Sequence, residues 1–135
     1  MNPTPAKRPP SAALILFAHG ARDPEWAAPL RRVQAAIQAA QPGLPVELAF
    51  LELLPPDLPD CVAALARQGI GRITVVPMFI AQGSHLRRDL PVLLDDLRRR
   101  WPTIELTLTA AIGEHPEVVA VMARAAASGL DGAVP

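Results

Sequence analysis

Cysteine is nearly absent from this sequence: Cys61 is the single one in 135 residues. One chain therefore has neither an internal disulfide nor a zinc or iron–sulfur centre built from several cysteines, and a reducing compartment fits this usage. Net charge is absent too, because 13 basic residues balance 13 acidic ones. That balance argues against a protein that coats nucleic acid or a membrane surface, and for a small-molecule partner. Long hydrophobic runs are also missing. The stretch 73–81 holds about nine residues, far short of the roughly 20 that cross a bilayer as a helix. The earlier run 12–18 follows Lys7 and Arg8 as the core of a signal peptide would, but it leads into His19-Gly20-Ala21-Arg22-Asp23 instead of a small-residue cleavage site. A soluble, cytoplasmic protein is the expectation.

What is present is apolar mass and arginine. Half of the residues are hydrophobic, enough for one chain of this length to bury the core of a single domain. All the basic residues except Lys7 are arginines, whose planar fork suits bidentate binding of carboxylate or phosphate. A GC-rich genome produces the same bias, together with many Ala and Pro, so it is no signal by itself. Residues 1–10 contain four prolines and two basic residues without periodicity and are expected to be a loose tail. One domain is expected over 11–128, with a second flexible tail over 129–135.

Strand and helix signals alternate along that domain. Residues 12–18 form a continuous apolar run of strand length, and Asp23-Pro24 supplies a cap and first-turn pair for an amphipathic helix ending near Gln41. Pro29 lies within that stretch, so the regular helix is expected to begin only near it. Residues 45–53 (PVELAFLEL) read as a second strand and 57–68 as a second helix closed by Gly69. Residues 72–80 (RITVVPMFI) are a third strand, uninterrupted and β-branched, in which Pro77 is awkward for a central position. A loop over 81–88 then leads to Asp89, expected to cap a helix running through Pro91 to residue 100 or 101, with arginines in its last turn. Residues 104–112 give a fourth strand and 116–128 a last helix. Such alternation predicts an α/β fold: a four-stranded parallel sheet of order 2-1-3-4 with helices on both faces. In that order the chain reverses between strands 1 and 3, where open α/β sheets hold their ligands.

His19 directly follows strand 1 and His85 lies a few residues beyond strand 3, so each strand flanking the expected crevice leads to a histidine. Glu52 near the end of strand 2 is the third candidate. Two imidazoles and a carboxylate suit cobalt, iron, nickel or zinc, and a site with few protein ligands leaves positions open for exchange. Gly20, and Gly83 with Ser84, keep the two loops sparse, which would let a bulky flat ligand approach the backbone. Arg22, Arg87 and Arg88 lie in the same loops and would favour a ligand carrying carboxylates. His115, just before Pro116, reads as a solvent-facing helix cap, and Cys61 as a small core residue.

The segments ILFAHGARDP, AFLEL followed by PP, VVPMFIAQGSHLRRDLP and AIGEHPEV, in this order, resemble the CbiX and SirB type of sirohydrochlorin chelatases over residues 14 to about 126. His-Gly-Ala-Arg after strand 1 joined to Gly-Ser-His-Leu-Arg-Arg-Asp-Leu-Pro after strand 3 carries most of the likeness; Ala21 stands where Ser is common. The resemblance implies a chelatase-like fold in which His19 and His85 bind the metal and serve insertion, while Glu52 is an accessory ligand or proton acceptor. Arg22, Arg87, Arg88 and Ser84 would then bind the tetrapyrrole. The divalent metal, cobalt before iron or nickel, would be a substrate, with no permanently bound cofactor. No second His-Gly-x-Arg or Gly-x-His motif marks an internal duplication, and the short, single-domain form that this chain resembles implies a homodimer.

Three other functions compete. A histidine phosphatase ends its first strand in Arg-His-Gly, whereas Ala18 precedes His19 here, and the phosphate-binding arginine is thereby lost. A flavodoxin-like nucleotide module would need a glycine-rich phosphate loop after strand 1, which is absent. A non-catalytic metal or tetrapyrrole binding protein of the same fold has the same residues and differs only in turnover.

Overall fold

The computed structural model describes residues 11–132; the expected tail over 1–10 and residues 133–135 lie outside the described part. Four strands, β1 (Ala12–Ala18), β2 (Val46–Phe50), β3 (Arg72–Pro77) and β4 (Glu105–Leu108), form one sheet in the order β2-β1-β3-β4. All neighbours run parallel: Leu14 stands opposite Val46 on one side and Thr74 on the other. The helices are α1 (Ala28–Ala40), α2 (Leu58–Arg67), α3 (Ser84–Arg100) and α4 (Pro116–Ala127). None of the helices among the described residues is long and apolar enough to cross a membrane.

Proline and polar caps set the helix starts. Asp23 accepts from the Glu25 amide and opens a 3-10 turn, Pro24–Ala27, after which α1 begins with Pro29 in its first turn. Asp57 caps α2 through the Asp60 amide, and the His115 ring caps α4 through the Glu117 amide. Beyond α4 the chain makes a further 3-10 turn, Ser128–Asp131, inside the expected C-terminal tail.

Pro77 ends β3. Pairing with β4 stops at Val75 opposite Leu108, so its missing N–H breaks no bond to β4. The helix α3 is capped at Gly83 and begins at Ser84, instead of being capped at Asp89, and the expected loop over 81–88 is therefore partly helical. Pro91 in its interior removes one helix hydrogen bond, at a cost of about 3 kcal/mol. Leu90, Leu94 and Leu97 are each at most 2% exposed, and burying side chains of that size contributes about 1.5–3 kcal/mol each. Burial outweighs the proline, and the apolar stripe extends back to half-buried Leu86.

The two faces of the sheet are covered unequally. Ile15, Phe17, Ile73 and Val75 pack with Leu58, Val62 and Leu65 of α2 and the three α3 leucines in one core. Right-handed crossovers put α1 on the opposite face, where the Gln34 amide donates to the Val46 carbonyl at 2.6 Å. Neither α1 nor α4 contains a fully buried residue. Val119 and Val121 of α4 are 49% and 54% exposed.

Cys61 belongs to the α2 core. Burial first, and then the carboxylates of Glu47 and Asp57, push its thiol up from 9.0 to about 12. A thiol held neutral is unreactive, so the folded protein is expected to resist an aromatic disulfide reagent at pH 8 until urea unfolds it. The unfolded chain ionises first as pH rises, so this group's contribution to stability is complete below pH 9 and is lost toward about pH 12. Immediate labelling of the native protein at pH 8 would contradict the buried placement.

Candidate functional site

The carboxyl ends of β1 and β3 lie side by side, and His19 is the first residue past β1. Its Nδ1 stands 2.9 Å from Glu52 Oε1, with both side chains about half exposed. A carboxylate only accepts, so in the neutral ring the proton sits on Nδ1 and Nε2 keeps its lone pair for a metal or a proton. The Phe79 ring backs the imidazole, with centroids 4.9 Å apart and planes at 61°. Phe17 supports Phe79 in turn, edge to face at 6.2 Å.

Glu52 reaches His19 because the chain leaves the sheet early. The strand β2 ends at Phe50 instead of running to residue 53, and Leu53 has a positive φ of 69°. The Leu54 amide bonds the Glu52 carbonyl at 2.8 Å, the pattern of the rare γ-turn with positive φ. Holding a bulky residue there costs about 1–3 kcal/mol and is characteristic of functional sites. Gly20 explains the proximity from the other side. It is buried, and a Cβ on it would fall on the Glu52 carbonyl oxygen and 3.0 Å from the Leu54 amide nitrogen. The close approach that glycine allows here is therefore by the neighbouring loop rather than by a ligand. Gly83 is open, with nothing within 4 Å of an added Cβ.

His85, Arg87, Arg88 and Ser84 lie within the first five residues of α3, not in a loop. His85 is exposed, and its Nδ1 stands 3.3 Å from Arg88 Nη2. Arg88 Nε also donates to the Ser84 carbonyl, and Arg87 to the Gln82 carbonyl, both at 3.4 Å. Because guanidinium only donates, the His85 Nδ1 is the acceptor in this pair. Among the described residues no three His, Cys, Asp or Glu side chains gather closely enough to hold a metal ion. His19 and Glu52 come together; His85 joins neither them nor the wall of the pocket beside His19. The neighbour of His85 is Arg88, one turn along α3.

Arg22, Arg87 and Arg88 form no ion pair with any carboxylate among the described residues. They remain available for an anionic ligand. His115 caps α4 from the solvent side, accepting from the Glu117 amide at 3.2 Å, as its place before Pro116 suggests. Trp26 and Phe79, the two aromatics around His19, carry no motif spacing that singles them out. The one sequence signal for Trp26 is its position in the Asp23-Pro24 turn that follows the histidine loop.

The CbiX family model matches residues 13–128. The chain is 33% identical over 89 residues to the sirohydrochlorin cobaltochelatase of Methanopyrus kandleri, an alignment covering 66% of this chain and 62% of that protein. It is 31% identical over 103 residues to the chloroplastic sirohydrochlorin ferrochelatase of Arabidopsis thaliana, covering 76% of this chain and 45% of that protein. The matched stretch is thus shorter than two thirds of either relative. The crystal structure of the CbiX protein from Marinobacter aquaeolei superposes with a TM-score of 0.77 at 28% identity, covering 89% of this chain and 98% of that one. The family model spans all four helices and the sheet from Ala13 onward, and the chain belongs to the CbiX family.

Proposed function

We propose that this protein inserts a divalent metal ion into a sirohydrochlorin-type tetrapyrrole in the cytoplasm, with cobalt favoured and iron or nickel as alternatives. The observation that carries the reading is the His19–Glu52 pair at the end of β1, beside an open apolar pocket. Insertion removes two N–H protons from the macrocycle while the metal exchanges water and protein ligands for four ring nitrogens. His19 Nε2 holds the incoming ion or takes a ring proton, and Glu52 steadies the imidazole and offers a carboxylate for the proton on Nδ1. His85 supplies the second imidazole; to present both ring nitrogens it must part from Arg88 Nη2, 3.3 Å away. Arg22, Arg87, Arg88 and Ser84 bind the carboxylates of the macrocycle. The names of the two relatives support the tetrapyrrole and leave cobalt and iron both in play. Anaerobic mixing of the protein with metal-free sirohydrochlorin and Co²⁺, Fe²⁺ or Ni²⁺, followed by visible absorption, tests it. Catalysed appearance of the metallated spectrum supports the enzyme, whereas binding of either component with no rate above the uncatalysed one leaves only a carrier.

A second copy completes the molecule in this reading. The α1 side of the sheet has no helix with a fully buried residue, and α4 leaves two valines about half exposed. A face of that kind on a protein without net charge suits self-association. The wild type is expected to sediment as a dimer and Val121→Glu as a folded monomer by circular dichroism. A monomeric wild type at micromolar concentration would remove the partner from the reading.

A further inference from the structure

The pocket beside His19 has a volume of about 340 Å³ and is walled by Trp26, Pro29, Leu30, Met78 and Phe79. Trp26 stands out on that wall. Its side of the pocket is open, with 55% of the residue exposed, yet it is fixed in place. The turn that carries it is capped by Asp23, opened by Pro24 and anchored by Ala27, which is fully buried. The Trp26 amide bonds the Asp23 carbonyl at 3.0 Å. The indole Nε1–H donates to the His19 carbonyl at 3.0 Å. That is the only polar atom of the side chain, so the exposed remainder is a flat apolar surface with no unmet hydrogen bond, tethered to the backbone of the candidate metal-binding residue. A pinned ring also loses little rotamer freedom when something settles on it.

We propose that Trp26 is a substrate-binding residue, the platform on which one face of the tetrapyrrole stacks beside His19. This rests on the insertion reading above and adds to it the residue that recognises the macrocycle's flat apolar body, where the arginines recognise its carboxylates. A broad aromatic ligand matches the exposed indole in shape, and offset stacking is favoured between two such π-systems. The hydrogen bond to the His19 carbonyl also ties the height of the platform to the position of the imidazole.

The test compares wild type, Trp26→Phe and Trp26→Ala in the full chain. Metal-free sirohydrochlorin is titrated by its visible absorption, and cobalt insertion is measured with each substrate varied in turn. Removing the platform is expected to raise the Kd and KM for the tetrapyrrole by about tenfold, the size of one aromatic stacking contact. The KM for Co²⁺ and the sedimentation behaviour should stay as in wild type. Trp26→Phe, which keeps a ring and loses the N–H donor, should recover most of the tetrapyrrole affinity. An unchanged tetrapyrrole KM in Trp26→Ala overturns the proposal. So does a Phe variant as impaired as Ala with the loss in kcat or in Co²⁺ KM, because Trp26 would then act only by holding His19. Dissociation of the Trp26→Ala protein into monomers with unaltered tetrapyrrole affinity also overturns it and assigns the indole to a subunit contact. Absence of any insertion by wild type is a separate result, which removes the proposed function itself.

Discussion

His19→Ala is expected to lower the rate of metal insertion by about 10²–10⁴-fold, the range over which a positioned proton-transfer group acts. Glu52→Gln is expected to lose less, about 10–100-fold, as is usual when the partner that orients a metal-binding imidazole is changed. The reasoning is geometric. Glu52 fixes the ring from 2.9 Å on the Nδ1 side, and glutamine can present either an acceptor or a donor there, so the tautomer with Nε2 free is no longer enforced. The two residues act as a unit, and His19→Ala with Glu52→Gln together should be scarcely slower than His19→Ala alone. Initial rates with saturating cobalt decide the matter. Equal rates for wild type and His19→Ala would remove the metal-handling pair from the mechanism, while strictly additive losses would mean that Glu52 works independently of His19.

Gly20→Ala should damage stability and activity together. The added methyl falls on the Glu52 carbonyl oxygen, backbone rather than a yielding side-chain tip, and overpacking a tight site costs about 1–3 kcal/mol, sometimes more. The β2–α2 loop has to retreat, and the retreat carries Glu52 away from His19. A melting temperature lower by about 5–10 °C, by the usual scaling for domains of this size, should accompany an insertion rate close to that of Glu52→Gln. Gly83→Ala is the control, because nothing lies within 4 Å of its added Cβ. A Gly20→Ala protein with wild-type melting and wild-type rate would mean that the two loops do not meet as described.

Periodicity and composition made the sheet legible: the alternation of apolar runs with capped helices yields the parallel order β2-β1-β3-β4, and the same order locates the crevice at the end of β1. Errors fall at element ends, where local signals compete with packing. Asp89 resembles a cap and Pro91 resembles a first-turn proline, so α3 reads as starting six residues late; the burial of Leu90, Leu94 and Leu97 that favours the longer helix is a tertiary effect. Residues 51–53 continue the apolar pattern of β2, yet the γ-turn at Leu53 breaks it, and nothing local favours a positive φ for leucine. His19 and Glu52 were both visible as candidates, but their direct contact depends on that turn and on the missing side chain at Gly20. His85 lies on α3 beside Arg88, and that placement comes from helix geometry, which strand-end reasoning does not contain.

The unequal cladding of the sheet divides the native state into two tiers. On the α2–α3 side, core side chains pack β1 and β3 against two helices, and amides in such a unit are expected to exchange with solvent only when the whole domain opens. By contrast, α1 on the other face, and α4 beyond the edge strand, have no fully buried residue to hold them and are expected to draw on the shallow end of the same free-energy ladder. The histidine that ends β1 is rooted in the slow tier, while Pro29 and Leu30 of α1 wall the pocket beside it from the fast one. Opening of α1 is therefore expected to widen the entrance to this pocket while β1 stays in place.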